Sequence, residues 1–184
     1  MNTIRCEEAL EKEEADIAIY TDPVISDKIE YMPLEEDPLT LIIPKDHALM
    51  AGRDLSLNSL SNPLELKAEE LRNADLTFIL STANHSLYYA ENAFLKKYRI
   101  TPSRSFRVDF VNTRYSIACG GGGAVLVPHT TVQEEANAGR MVYCTIEGSH
   151  LYRYVIIAKK KGKTLPHGAE KVWRFMVGQK FQSQ

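Results

Sequence analysis

Residues 76–98 read LTFILSTANHSLYYAENAFLKKY, and this stretch decides the fold class. LTFIL is a short apolar run with branched and aromatic side chains, the pattern of a strand buried on both faces. The polar string Ser81-Thr82-Ala83-Asn84-His85-Ser86 interrupts it. Leu87, Ala90, Phe94 and Tyr98 then recur at helical spacing over residues 86–98, which predicts a helix with one apolar face. A buried strand, a polar turn and an amphipathic helix in that order are the unit of an α/β fold. The order recurs downstream, with a strand at 107–111, Asn112-Thr113 as the turn, and a helix at 113–119 stopped by Gly120.

Outward from this core, short apolar runs predict strands at 15–20, 29–34, 39–43, 124–127, 141–145 and 152–158. Thr21-Asp22-Pro23 closes the first, and Pro44 and Pro128 end two others. Helices are expected from Asn2 or Thr3 to about Glu14, with Ile4, Ala9 and Leu10 inward, and at 67–72 and 130–138, the last ending at Gly139. A final helix at 166–179 would bury Ala169, Val172, Trp173 and Met176. There is no internal repeat and no low-complexity linker.

The chain has 184 residues with 44% apolar and 25% charged side chains, an ordinary globular composition. A net charge of −2 argues against holding nucleic acid by bulk positive charge. The charge is unevenly spread: residues 1–46 carry −9 and residues 139–184 carry +7. The basic run Lys159, Lys160, Lys161 and Lys163 is therefore expected to face an acidic segment of the same molecule. The same partition suggests that both chain ends belong to one lobe and the neutral middle to another. The acidic start lacks the basic and apolar pattern of a secretory signal. Three widely spaced cysteines, Cys6, Cys119 and Cys144, read as reduced, mostly buried thiols, and together these features imply a cytoplasmic protein. No apolar stretch is long enough to span a membrane as a helix.

The five histidines show no metal-ligand spacing, so no metal site and no cofactor is expected. The run Gly120–Gly123 follows a helix and precedes a strand, the reverse of a phosphate loop, and Gly162-Lys163-Thr164 lacks the upstream glycine of that motif. A tight helix-to-strand turn explains the four glycines. No Gly-x-Ser-x-Gly elbow is present. Asn112-Thr113-Arg114-Tyr115 loosely resembles the Thr-Arg-aromatic motif of prephenate dehydratases, which supplies an enzymatic alternative. Two strand–turn–helix junctions offer hydroxyls, amides and free N–H groups to a small anion, though plain helix capping explains each one alone.

Five stretches resemble, in order and spacing across residues 1–180, the effector-binding domain of LysR-type transcriptional regulators. They are Asp16-Ile17-Ala18-Ile19, the strand leading to Pro44 and His47-Ala48-Leu49, the 74–102 segment, Gly120–Gly123 running to Pro128, and the 153–176 segment. The resemblance implies a type 2 periplasmic-binding-protein-like α/β fold with two Rossmann-like lobes joined by crossing strands. Lobe I would comprise residues 1–45 and 159–184, and lobe II residues 46–158. A small-molecule effector would lie between the lobes against Tyr20, Thr21, Ser81, Thr82, Asn84, His85, Asn112 and Thr113. It would act by lobe closure and oligomer rearrangement, with no catalytic residue.

The family's N-terminal helix-turn-helix, through which DNA would be bound, has no counterpart in the sequence, nor has the opening strand–helix–strand of lobe I. Lobe I is thus expected to be incomplete and the strand at 15–20 to lack a partner within the chain, so that either a homo-oligomer covers it or lobe I is partly disordered. The hydroxyl-rich turns tolerate a carboxylate, an aromatic acid or an inorganic anion. A solute-binding protein for transport is the other alternative sharing this fold.

Overall fold

The computed structural model describes residues 3–83, 85–134 and 139–179. Along the chain lie α1 (Thr3–Glu11), β1 (Ala18–Thr21), β2 (Ile29–Pro44), β3 (Leu64–Leu66), α2 (Ala68–Asn73), β4 (Thr77–Ser81) and α3 (Ser86–Lys97). They are followed by β5 (Arg104–Val108), α4 (Val111–Cys119), β6 (Val125–Pro128), β7 (Met141–Ile146), β8 (Tyr152–Lys160) and α5 (His167–Gln179). Single 3-10 turns occupy Ala48–Met50 and His129–Thr131. Among the described residues two compact units are distinguished. The first takes the chain up to Asp37, the helix-opening Ser86 and the chain from Arg153 onward; Pro38–Ala83 and Leu87–Tyr152 form the second.

The second unit is a sheet with helices on both faces. The end of β2 runs antiparallel to β6 and to β7, with Ile42 opposite both Val125 and Tyr143, and β3 pairs parallel to β7. β4 and β5 are parallel, and Phe78 bridges Ala124 to attach them beside β6. Strand alternation then sorts the apolar side chains. Leu41, Ile43, Phe78, Leu80, Leu126 and Val142 point to one face and meet Leu71 of α2 and Leu87 and Phe94 of α3. Ile42, Ile79, Val125, Val127, Met141 and Tyr143 point to the other and meet Tyr115 and Ala118 of α4. Leu41, Ile42, Ile43 and Ile79 are fully buried, each worth about 1.5–3 kcal/mol of transfer free energy.

The first unit is smaller. β1 pairs antiparallel with β8, Ile19 opposite Ile157, and α1 packs Cys6 and Leu10 against Tyr20, Ile156 and Ala158. The acidic N-terminal segment meets the basic tail as its charge pattern predicts: Lys160 pairs with Glu13 at 2.6 Å, Lys163 with Asp16 at 3.0 Å and Lys159 with Glu30 at 2.8 Å. Exposed pairs of this kind each contribute at most about 1 kcal/mol.

Several expectations are corrected. The strands expected at 29–34 and 39–43 are one continuous strand, β2, which passes through Pro33 and Pro38. A proline without N–H is tolerated wherever the ladder needs no donor from it. Segment 15–20 has a strand partner in β8, and it is not buried throughout, since Ile19 is half exposed. The inward face of α1 is Thr3, Cys6, Glu7 and Leu10; Ile4 and Ala9 are only half-buried. The strand expected at 107–111 lies at Arg104–Val108, so α4 begins two residues earlier than predicted. On α5 none of Ala169, Val172, Trp173 and Met176 is buried, and Val172 is exposed. Of the helix expected at 130–138, residues 130–131 belong to a 3-10 turn and 132–134 are not helical, while 135–138 lie outside the described residues.

Cys6, Cys119 and Cys144 are free thiols. Burial raises the pKa of each, that of Cys144 to about 12, so all are protonated at neutral pH. Cys119 is the most accessible. At pH 8 a thiol-disulfide reagent is expected to titrate Cys119 first, with Cys6 and Cys144 reacting only on unfolding. Mass spectrometry of the labelled peptides checks this order.

Candidate functional site

The carboxyl ends of parallel strands are where α/β sheets expose backbone ends and polar side chains together. In the second unit β4 ends on Ser81 and β5 on Val108, and the chain then leads through Asp109 into α4. Thr82 donates its hydroxyl to Asp109 Oδ1 at 2.5 Å, which closes the two strand ends onto each other. Asn112 and Thr113 stand exposed in the first turn of α4, not ahead of the helix as predicted. The N-cap residue, Phe110, offers no side-chain acceptor to the first free N–H groups.

Ser81 is fully buried and fully engaged. Its N–H donates to Glu91 Oε2 at 2.6 Å, its hydroxyl to Glu91 Oε1 at 3.1 Å, and its carbonyl accepts from Arg107. Arg107 also lies over the Tyr88 ring, 5.0 Å from its centroid. Glu91 accepts in addition from Arg114, and both side chains are 1% exposed. Burial pushes the Glu91 carboxyl above its ordinary range, against the pull of Arg114 and Ser81. Arg114, named from sequence in the dehydratase-like motif, is therefore a buried partner of Glu91.

In the first unit, Tyr20 is buried and donates its hydroxyl to Glu7 at 3.1 Å; burial and that carboxylate push its phenol upward. Glu7 also accepts the N–H groups of Ile25 and Ser26 at 2.9 and 2.8 Å. Thr21 Oγ1 shares a hydrogen bond of 2.6 Å with Ser86 Oγ. Arg153 donates to Ser86 Oγ at 3.0 Å and to Asp37 at 2.7 Å. Thr21, Ser86, Arg153 and Asp37 thus form one chain of hydrogen bonds. His85 is half-buried beside it in sequence, and Asn84 lies outside the described residues.

Of the eight predicted residues, the structure brings Ser81 and Thr82 to the head of α4 with its Asn112 and Thr113, and places Tyr20 and Thr21 on β1. The sequence reading missed Glu91, Arg107 and Asp109 in one unit and Asp37 and Arg153 in the other, and named Arg114 and Ser86 without their partners. One signal was available: Glu91 falls one turn after Leu87 and just before Phe94, a charge on an apolar stripe. The other pairings join residues far apart in the chain, which no local pattern announces.

Elsewhere, a depression of about 600 Å³ lies at the opposite end of β4, beside Thr77 and the Gly120–Gly123 turn. Two of its polar groups are already engaged: Arg104 pairs with Asp75 at 2.9 Å and His47 meets the Asp75 carbonyl at 3.2 Å. Among the described residues no group of three or more His, Cys, Asp or Glu could hold a metal ion, and no helix is long and apolar enough to cross a membrane.

The family model of the LysR substrate binding domain matches residues 1–180. The chain belongs to the LysR substrate-binding-domain family. Among curated relatives of this LysR domain, the Hca operon transcriptional activator HcaR of Escherichia coli K12 is 23% identical over 164 residues, 89% of this chain and 51% of the relative. The HTH-type transcriptional regulator CatR of Pseudomonas putida is 27% identical over 168 residues, 90% of this chain and 53% of the relative. The LysR domain described here thus spans about half the length of these relatives.

Among solved structures, the effector binding domain of QuiR in complex with shikimate is similar, with a TM-score of 0.78 at 15% identity, covering 100% of this chain and 80% of that one. The regulatory domain of Synechocystis PCC6803 CcmR with 2-PG gives a TM-score of 0.74 at 17% identity, covering 97% and 80%. The BenM effector binding domain with benzoate gives 0.70 at 16%, covering 99% and 76%. The α/β fold is that of LysR effector-binding domains, which have a type 2 periplasmic-binding-protein-like architecture.

Proposed function

We propose that this chain is the effector-sensing part of a LysR-type transcriptional regulator, acting by binding rather than by catalysis. The observation that carries the reading is the polar edge formed by Thr82, Asp109 and the first turn of α4 at the carboxyl ends of parallel strands, in a chain matched by the LysR family over residues 1–180. Thr82, Asn112 and Thr113 contact the effector on this edge. Thr21, Asn84 and His85 are further candidate contacts. Tyr20 and Ser81 act indirectly, since their hydroxyls are held by Glu7 and Glu91. The assignment of both chain ends to lobe I and the middle to lobe II, proposed with bounds 1–45 and 159–184 against 46–158, is supported in outline by the two compact units, whose borders fall several residues earlier, at Asp37 and Arg153.

The effector class is a small organic acid. Hydroxyl donors and the N–H groups of a helix start suit a carboxylate, and similar domains are solved with shikimate and benzoate. A ligand that prefers one arrangement shifts the population toward it. The wider cytoplasmic protein, a homo-oligomer holding DNA through a separate helix-turn-helix, would convert that shift into altered DNA binding. The burial of Arg114 against Glu91 removes the side chain on which the dehydratase-like alternative depended.

Calorimetric titration with benzoate and shikimate tests the reading. At least one acid is expected to bind and to raise the melting temperature. Thr113→Ala is expected to weaken that acid about tenfold, the loss of one charge-assisted hydrogen bond, and Thr82→Val to weaken it comparably by releasing Asp109 from the edge. Affinity untouched by both substitutions would overturn the site, and failure of both acids to bind would overturn the proposed class.

A further inference from the structure

The most heavily buried charges in the second unit lie directly beneath the polar edge. Glu91 sits on α3 and Arg114 on α4, and each side chain is 1% exposed. Burying an ion pair contributes little net stability, since apolar side chains of the same volume often serve as well or better. Its partners are more informative. Glu91 takes both the N–H and the hydroxyl of Ser81, the residue before Thr82. Arg107 holds the Ser81 carbonyl. Arg114 is the residue whose N–H closes on the Phe110 carbonyl at 3.0 Å, at the start of α4 and one residue beyond Thr113. Thr82 in turn is fastened to Asp109, two residues ahead of α4.

We infer that the buried Glu91–Arg114 pair is a positioning device, which locks the end of β4 to the first turn of α4 so that Thr82 and Thr113 present one rigid edge to the effector. The inference rests on the effector-sensing reading for what the edge contacts, but the rigidity it asserts belongs to the free protein. Glu91 Oε2 takes the Ser81 N–H while Oε1 takes both the Ser81 hydroxyl and Arg114, which fixes direction as well as distance, as an apolar contact would not. A rigid edge reduces the ordering cost paid on binding.

Methyl order parameters from nuclear magnetic resonance test this without any ligand. In the wild-type protein the Thr82 and Thr113 methyls should be as ordered as those of the fully buried Ile79 and Val125. In the double variant Glu91→Leu/Arg114→Met they should lose about a third or more of their order while Ile79 and Val125 keep theirs. The affinity for whichever of benzoate or shikimate binds should fall about tenfold. Should the double variant fail to fold, Glu91→Gln keeps one acceptor oxygen for Ser81 but removes the charge facing Arg114, and Thr113 should then loosen more than Thr82. Ordered Thr82 and Thr113 in a folded double variant, or disordered ones in the wild type, would overturn the inference. A wild-type protein that binds neither acid would instead count against the functional reading, and the methyl data would still decide this one.

Discussion

Replacing Arg114 alone by methionine is expected to destabilise the protein by about 3–5 kcal/mol, because the Glu91 carboxylate would remain buried with its cation removed. Glu91 is 1% exposed and cannot turn to water. Glu91→Leu alone should cost a similar amount, since it leaves the Arg114 guanidinium stranded and the buried Ser81 hydroxyl without its acceptor. The double variant Glu91→Leu/Arg114→Met should recover the part due to the stranded charge, though not the part due to the Ser81 N–H and hydroxyl left without an acceptor. For a chain of this size a loss of 3–5 kcal/mol corresponds to a fall in melting temperature of roughly 10 °C. Urea denaturation followed by circular dichroism measures the cycle. A single-variant cost below about 1 kcal/mol, or a double variant no better than the singles, would contradict the account of this pair.

The second large effect is expected at Gly123. Its φ of +139° lies where side chains are rarely accommodated, and a Cβ there would sit 2.5 Å from the Thr77 carbonyl oxygen. That oxygen accepts the Ala124 N–H at 2.8 Å, and the Ile79 N–H returns to the Ala124 carbonyl at 2.8 Å, the pair of bonds that attaches β4 to β6. Gly123→Ala therefore combines backbone strain with a clash against main chain, and about 2–4 kcal/mol of destabilisation is expected. Gly139, with a positive φ of +77° but no atom of the described residues within 4 Å of where a Cβ would stand, supplies the control. Gly139→Ala should cost only the strain, about 1 kcal/mol. Equal costs at the two positions in thermal melts would refute the close-approach argument.

These two cases also mark what the sequence could tell. The central sheet was legible because its strands are buried on both faces and its helices on one: residues 39–43, 76–80 and 124–127 have no competing helical period. The four glycines pointed correctly to a tight helix-to-strand turn, although only the structure shows that Gly123 faces the Thr77 carbonyl. Periodicity also named the stripe of α5, but it does not say what covers a stripe, and Val172 is exposed. The strands expected separately at 29–34 and 39–43 are one, because Pro38 between them removes a donor without forbidding extended backbone. At the candidate site, the hydroxyls of Ser81, Thr82 and Thr113 were readable as strand–helix junction residues. Their orientation was not, since it depends on Glu91, Asp109 and Arg114, whose partners are set by how β4, α3 and α4 pack.

Chemical-shift mapping on an isotopically labelled sample, titrated with benzoate and shikimate, tests the central claim most directly. The account predicts that at least one acid shifts the amide and methyl resonances of Thr82, Asn112 and Thr113 in a saturable manner, while those beside the depression at Thr77 and Gly120–Gly123 stay in place. Saturable shifts centred on that depression, with the Thr82 and Thr113 signals unmoved, would contradict it.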